Sequence, residues 1–115
     1  RKDDMIISSG ENIYPVEIEE VLNLNSKVKD CIVTSVPDKM RGQLVTAYVV
    51  KADESLTAEE LDEFCKESPE IANFKRPRYY RFVSSVPLNA TGKKLHAKIK
   101  AIAAEDLRNG LLYRV

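Results

Sequence analysis

From Leu44 to Lys51 the chain reads Leu-Val-Thr-Ala-Tyr-Val-Val-Lys, and no other stretch limits the fold as much. β-Branched and aromatic residues dominate it, which suits a pleated strand. Successive side chains of a strand point to opposite faces. Leu44, Thr46, Tyr48 and Val50 therefore share one face, and Val45, Ala47 and Val49 share the other. Both faces are largely apolar, so this strand is expected inside a sheet with cover on each side. Val28 to Val36 reads as a neighbouring strand closed by Pro37, with a loop at Asp38-Lys39-Met40-Arg41-Gly42.

The flanking sequence supplies the cover. Pro15 suits a first helical turn, Glu17, Glu19 and Glu20 complement its positive end, and Ile18, Val21 and Leu22 form an apolar stripe. Thr57-Ala58-Glu59-Glu60 is a capping box that opens a second helix with Leu61, Phe64 and Cys65 inward. Tyr79 to Val86 reads as a third strand and Ala97 to about Leu107 as the last helix. Met5-Ile6-Ile7 and Ile13-Tyr14 flank a cluster of turn formers and predict a small hairpin with Gly10 in its loop. The predicted class is α+β: a small three-stranded sheet with helices plus an N-terminal β-hairpin.

Lys and Arg together number 18, as do Asp and Glu, so the formal net charge is zero. That balance argues against a dedicated nucleic-acid binder. No apolar run reaches membrane-span length and no N-terminal signal is visible. Cys31 and Cys65 lack metal-ligand spacing and read as reduced core thiols of a cytoplasmic protein. The start at Arg1-Lys2-Asp3-Asp4, without methionine, suggests a piece of a longer chain.

No nucleophile–histidine–acid set, P-loop or dinucleotide fingerprint is present. His96 reads as a surface residue at a helix start, and the glutamates of the first helix as its solvated face. Three local features remain. Asn89 and Gly92 make a turn that carries Lys93 to the start of a helix, where unpaired backbone N–H groups favour anions. The turn is either a solvated Lys93-Lys94 pair or a lysine aimed at an anion. Phe74-Lys75-Arg76-Pro77-Arg78 is a basic linker suited to stacking and phosphate pairing, or else a core aromatic among solvated cations. The third feature is the Gly10 hairpin.

Taken together, three ordered stretches resemble the C-terminal part of adenylate-forming enzymes of the AMP-binding (ANL) superfamily. These are Arg1 to Glu19, Phe74-Lys75-Arg76-Pro77, and Pro87-Leu88-Asn89-Ala90-Thr91-Gly92-Lys93. The resemblance runs to about Ala104 and leaves out the tail from Glu105 to Val115. It implies a single C-terminal lid domain of an acyl- or aryl-CoA ligase, inactive in isolation. Residues 1–4 would be the hinge, 5–14 the hairpin, 15–104 the core and 105–115 a tail. The family makes an acyl-adenylate from a small carboxylic acid and Mg-ATP, then transfers the acyl group to CoA, with the lid rotating between steps.

By residue, the resemblance implies that Asp3 is the hinge, Arg1 a nucleotide contact, and Lys93 the adenylation lysine. Ser8, Ser9 and Gly10 would line the pantetheine tunnel, and Phe74, Arg76 and Arg41 would contact the CoA nucleotide. ATP, CoA and Mg2+ would be held mainly by an N-terminal domain outside this chain, with no nucleic acid involved. Ser9 stands where many relatives carry glycine, and Arg41 where some aryl-CoA ligases carry an aromatic residue. A carrier protein is the other thiol acceptor that the family allows. The competing reading is a stand-alone α+β nucleotide- or RNA-binding, or regulatory, module.

Overall fold

A computed structural model describes residues 4–115. The Leu44–Lys51 stretch lies in strand β4 (Gly42–Lys51), which pairs antiparallel with β3 (Val28–Asp38). Both strands run further toward their shared turn than the sequence predicts. Asp38 accepts hydrogen bonds from the backbone N–H groups of Met40 (3.1 Å) and Arg41 (2.9 Å), which closes the turn tightly and keeps residues 37–38 and 42–43 in register. Pro37 is tolerated because β3 is an edge strand.

Helix α1 (Pro15–Leu22) starts at the expected proline, and α2 (Ala58–Glu67) at Thr57, whose hydroxyl accepts from Glu60 N–H at 3.1 Å. The path through α2 returns the chain parallel to β4 as β5 (Tyr79–Phe82). Such a parallel pairing requires a crossover, and the helix provides it. Helix α3 (His96–Arg108) follows, and the N-terminal hairpin is β1 (Ile6–Ser8) with β2 (Glu11–Ile13).

The two faces of β4 are buried as its alternation requires. Val45, Ala47 and Val49 pack with Ile18, Val21 and Leu22 of α1 and Leu61 and Cys65 of α2. Leu44 and Tyr48 pack with Ile99 and Ala103 of α3. Each fully buried Val or Leu contributes about 1.5–3 kcal/mol, so these two layers hold the domain together.

The expected three strands are present, though the third stops at Phe82 rather than Val86, and the sheet has four, ordered β3-β4-β5-β6. The addition is β6 (Tyr113–Arg114) from the tail, antiparallel to β5, with Val115 N–H donating to Arg78 O at 3.0 Å. A two-residue strand is too short to show a period in sequence. Leu112 and Val115 add apolar cover on opposite sides of the sheet.

A polar network ties α3 to the sheet. Asp106, buried on α3, accepts from the Tyr48 hydroxyl and from Arg81 Nη1, each at 2.7 Å. Burial, and then the Asp106 bond, push the Tyr48 phenol up, so it remains a donor. Cys31 and Cys65 are both free and buried, as expected, and burial pushes the Cys31 thiol up to about 12.

Two stability predictions follow from these groups. Asp106→Ala strands the Tyr48 hydroxyl and should cost about 2–3 kcal/mol in urea denaturation. A loss under about 0.5 kcal/mol would show that water replaces the network. The Cys31 thiol is raised in the folded state from an ordinary value of 9.0 to about 12. Above the lower value the unfolded chain releases a proton that the folded chain retains, so the contribution is complete below pH 9 and falls as pH rises toward 12. Urea midpoints measured across that window should fall less steeply in Cys31→Ala than in the wild type.

Candidate functional site

After β5, the chain crosses the end of the sheet to reach α3 on the other face. Val86 anchors this crossing in the core. A β-bridge between Leu88 and Lys94 then pinches off the turn that carries Lys93. Asn89 organises the turn: its Oδ1 accepts from Thr91 N–H (2.9 Å), the Thr91 hydroxyl (2.8 Å) and Lys93 N–H (2.9 Å). Its own N–H donates to Lys93 O at 2.8 Å, and Leu95 N–H to Pro87 O at 3.0 Å. Gly92 has φ +85°, a conformation that glycine adopts without steric cost. The result is a closed loop that presents Lys93 to solvent. Among the described residues, its ammonium makes no ion pair.

The neighbouring lysine behaves differently. Lys94 Nζ lies 3.6 Å from Glu19 Oε1 and 3.5 Å from Asp30 Oδ1. Glu19, on α1, is only 5% exposed. Its Oε2 accepts from Val33 N–H on β3 at 2.8 Å and from His96 Nε2 at 2.7 Å. His96 Nδ1 faces Asp4 at 3.9 Å. Asp4, Glu19, Lys93, Lys94 and His96 line one open cleft of about 1090 Å³. Two sequence expectations are corrected here: Glu19 is not on a solvated face, and His96 is not a free surface residue.

The hairpin turn forms a second corner. Ser9 (φ 52°) and Gly10 (φ +81°) both have positive φ, and a Cβ at Gly10 would meet nothing within 4 Å. Ser8 is buried, whereas Ser9 and Gly10 are exposed. Ser9 N–H donates to Arg41 O at 2.8 Å, and Ile7 N–H to Gln43 Oε1 at 2.7 Å. The structure therefore brings Ser9, Gly10 and Arg41 together through the turn between β3 and β4. None of them lines the Lys93 cleft.

Phe74 and Lys75 sit in a short 3-10 turn (Asn73–Lys75), with the Phe74 ring 42% exposed and Lys75 Nζ 5.9 Å from its centre. Lys75 pairs with Glu17 on α1 at 2.5 Å. The Arg76 side chain is 13% exposed, with Nη1 2.7 Å from Asp62 and Nε 3.0 Å from Asn73 Oδ1. Arg78, the last cation of the basic linker, has its pKa pulled down by burial first and then by Arg76, Arg41 and Arg114. Arg78 thus feels the charge of each of these three arginines. Arg1 and Asp3, the expected nucleotide contact and hinge, lie outside the described residues.

Glu19 could have been found in the sequence. Pro15, Ile18, Glu19 and Leu22 are spaced i, i+3, i+4 and i+7, which puts the carboxylate on the buried stripe. No local pattern announced its partner, because His96 lies 77 residues away.

Residues 17–93, more than half of the chain, match the AMP-binding enzyme C-terminal domain. The chain belongs to that family. It is 44% identical over 99 residues to a 2-succinylbenzoate–CoA ligase of Bacillus licheniformis, covering 86% of this chain and 20% of the relative. It is 45% identical over 100 residues to a 4-chlorobenzoate–CoA ligase of a Pseudomonas species, covering 86% and 19%. Among solved structures, a fatty acyl CoA synthetase of Mycobacterium tuberculosis superposes with a TM-score of 0.85 at 33% identity, over 91% of this chain and 20% of that one. The o-succinylbenzoate CoA synthetase of Bacillus subtilis, solved with its acyl-adenylate intermediate, gives 0.81 at 38% identity, over 87% and 20%. The chain thus spans about a fifth of the length of the relatives it matches. Within this AMP-binding enzyme C-terminal domain the Lys93 turn and the hairpin corner occupy separate surfaces.

Proposed function

We propose that this domain is the mobile lid of an acyl- or aryl-CoA ligase, spanning residues 1–115 with the hinge at 1–4. Asp3 would be the pivot and Arg1 would reach the nucleotide. The observation that carries the reading is the pairing of family membership with an exposed Lys93, on a closed turn, beside an open cleft. Nothing in the charge or the geometry favours a stand-alone nucleotide- or RNA-binding module.

In the first half-reaction a carboxylate oxygen attacks the α-phosphorus of ATP and pyrophosphate leaves, giving the acyl-adenylate. Both reactants are anions, so their approach is repulsive. An ammonium on a long stem can hold an oxygen of each, and the rigid turn places it with little loss of freedom. In the second half-reaction the thiol sulfur of CoA attacks the acyl carbonyl and AMP leaves. Ser8, Ser9 and Gly10 would border the pantetheine path, where a glycine leaves room for the arm. Exposed Phe74 could stack on the adenine. Arg76, held by Asp62 and Asn73 through Nη1 and Nε, keeps Nη2 for a phosphate, and Arg41 would add a second cation.

No group of three or more His, Cys, Asp or Glu residues that could hold a metal occurs among the described residues. These residues therefore do not fit Mg2+, which would be bound by ATP and the remainder of the enzyme. The carboxylic acid would also be chosen there. Relatives that act on 2-succinylbenzoate, 4-chlorobenzoate and long-chain fatty acids bracket the candidates. No helix among the described residues is long and apolar enough to cross a membrane. A cytoplasmic location is part of the proposal and is supported by the free, buried thiols of Cys31 and Cys65.

Two variants of the full-length enzyme test the assignment. Lys93→Ala should slow adenylation, followed by ATP–pyrophosphate exchange, by about a hundredfold to a thousandfold. Transfer from preformed adenylate should remain within about threefold of the wild type, and equal loss in both steps would contradict the role given to Lys93. Gly10→Leu should show the opposite split, slowing CoA-dependent release while exchange continues. Unchanged CoA turnover would remove the hairpin turn from the tunnel.

A further inference from the structure

Glu19 is nearly buried, carries a charge, and has no part in the chemistry above. Its surroundings explain why the fold retains it. Strand β3 is a sheet edge, and Val33 N–H has no strand to bond. The Glu19 carboxylate accepts that N–H at 2.8 Å, which fixes the side chain against the sheet. The remaining valence of the carboxylate faces the segment just after Lys93: His96 Nε2 at 2.7 Å and Lys94 Nζ at 3.6 Å.

The Lys93 turn is closed on itself by Asn89 and by the Leu88–Lys94 bridge, so it moves as a unit. The orientation of such a unit is set where it joins the body. On one side the junction is Val86 in the core. On the other it is His96, the first residue of α3, tied through Glu19 to α1 and to the edge of β3. No side chain caps α3, and the Glu19–His96 contact is the hydrogen bond that ties its first residue to α1 and, through Glu19, to β3. Asp4, beside the expected hinge, approaches the other ring nitrogen at 3.9 Å.

We propose that Glu19 and His96 are positioning residues for Lys93, together setting the direction in which the turn delivers its ammonium. This rests on the assignment of Lys93 as the adenylation lysine, and the two can be tested apart. The pair touches no reacting atom; it acts only through the turn.

The experiment compares half-reactions of the full-length ligase, using 2-succinylbenzoate, 4-chlorobenzoate or a long-chain fatty acid, whichever the wild type adenylates. His96→Ala should lower kcat for ATP–pyrophosphate exchange about tenfold to a hundredfold, the scale of a small misplacement of a catalytic group. The KM for ATP and the transfer of preformed adenylate to CoA should stay within about twofold. His96→Gln should recover most of the exchange rate, because its amide N–H can still donate to Glu19. The double variant Lys93→Ala/His96→Ala should be no slower than Lys93→Ala alone, since a positioning residue has nothing left to position.

Three results would overturn the proposal: unchanged exchange in His96→Ala, a further loss in the double variant, or a parallel fall of both half-reactions with a lowered melting temperature. The last would mark the contact as merely structural. If Lys93→Ala itself leaves exchange intact, the lysine assignment fails instead.

Discussion

The burial of β4 on both faces is the constraint from which the other features follow. A strand flanked by β3 and β5 and apolar above and below must have a helical layer on each side. Helices α1 and α2 supply one layer and α3 the other. Because α2 lies between β4 and β5 in the chain, those strands run parallel. Because α3 lies on the opposite face, the chain between β5 and α3 must pass around the end of the sheet. The Lys93 turn is on that passage. Its position is thus a consequence of topology, while its shape is the work of Asn89 and Gly92.

A four-stranded open sheet leaves two edges whose N–H and C=O groups invite another strand. The two edges, β3 and β6, are finished differently. The β6 edge is only two residues long, and Tyr113 on it bonds Glu59 at the start of α2. At the β3 edge the N–H groups of Cys31 and Val33 meet the carboxylates of Asp30 and Glu19. Burying a carboxylate is unfavourable unless its charge is also met. The Lys94 ammonium lies 3.6 Å from the Glu19 carboxylate and the His96 ring hydrogen-bonds it at 2.7 Å, and both residues lie within three positions of the exposed Lys93. The covering of a sheet edge and the presentation of the lysine are therefore one arrangement of side chains.

The elements were legible where residues decided structure locally. The alternation of Leu44–Lys51, the proline start of α1 and the Thr57 cap each specify an element over a few positions, and the structure follows them. Strand ends were less legible: Asp38 extends the β3–β4 hairpin by capping its turn, and β6 is too short to carry a period. At the candidate site, Lys93, Gly10 and Arg41 could be picked out one by one. That Ser9 and Arg41 bond each other, and that Glu19 joins Val33 to His96, could not. Those contacts span long stretches of chain and depend on the packed sheet, which no local pattern encodes.

Lys93 and Lys94 are adjacent in sequence and opposite in circumstance. Lys94 lies within ion-pair distance of two carboxylates of its own domain. Lys93 is exposed and pairs with none among the described residues. An ammonium committed to a partner at home would have to give up that interaction before serving a site elsewhere, and its action would be weakened accordingly. Held on a closed turn and exposed, Lys93 faces outward and has little backbone freedom left to lose. The paired lysine steadies the turn and the unpaired one is left available. On the proposed reading, that division of labour between neighbours would let this domain carry a charged group to an active site built elsewhere.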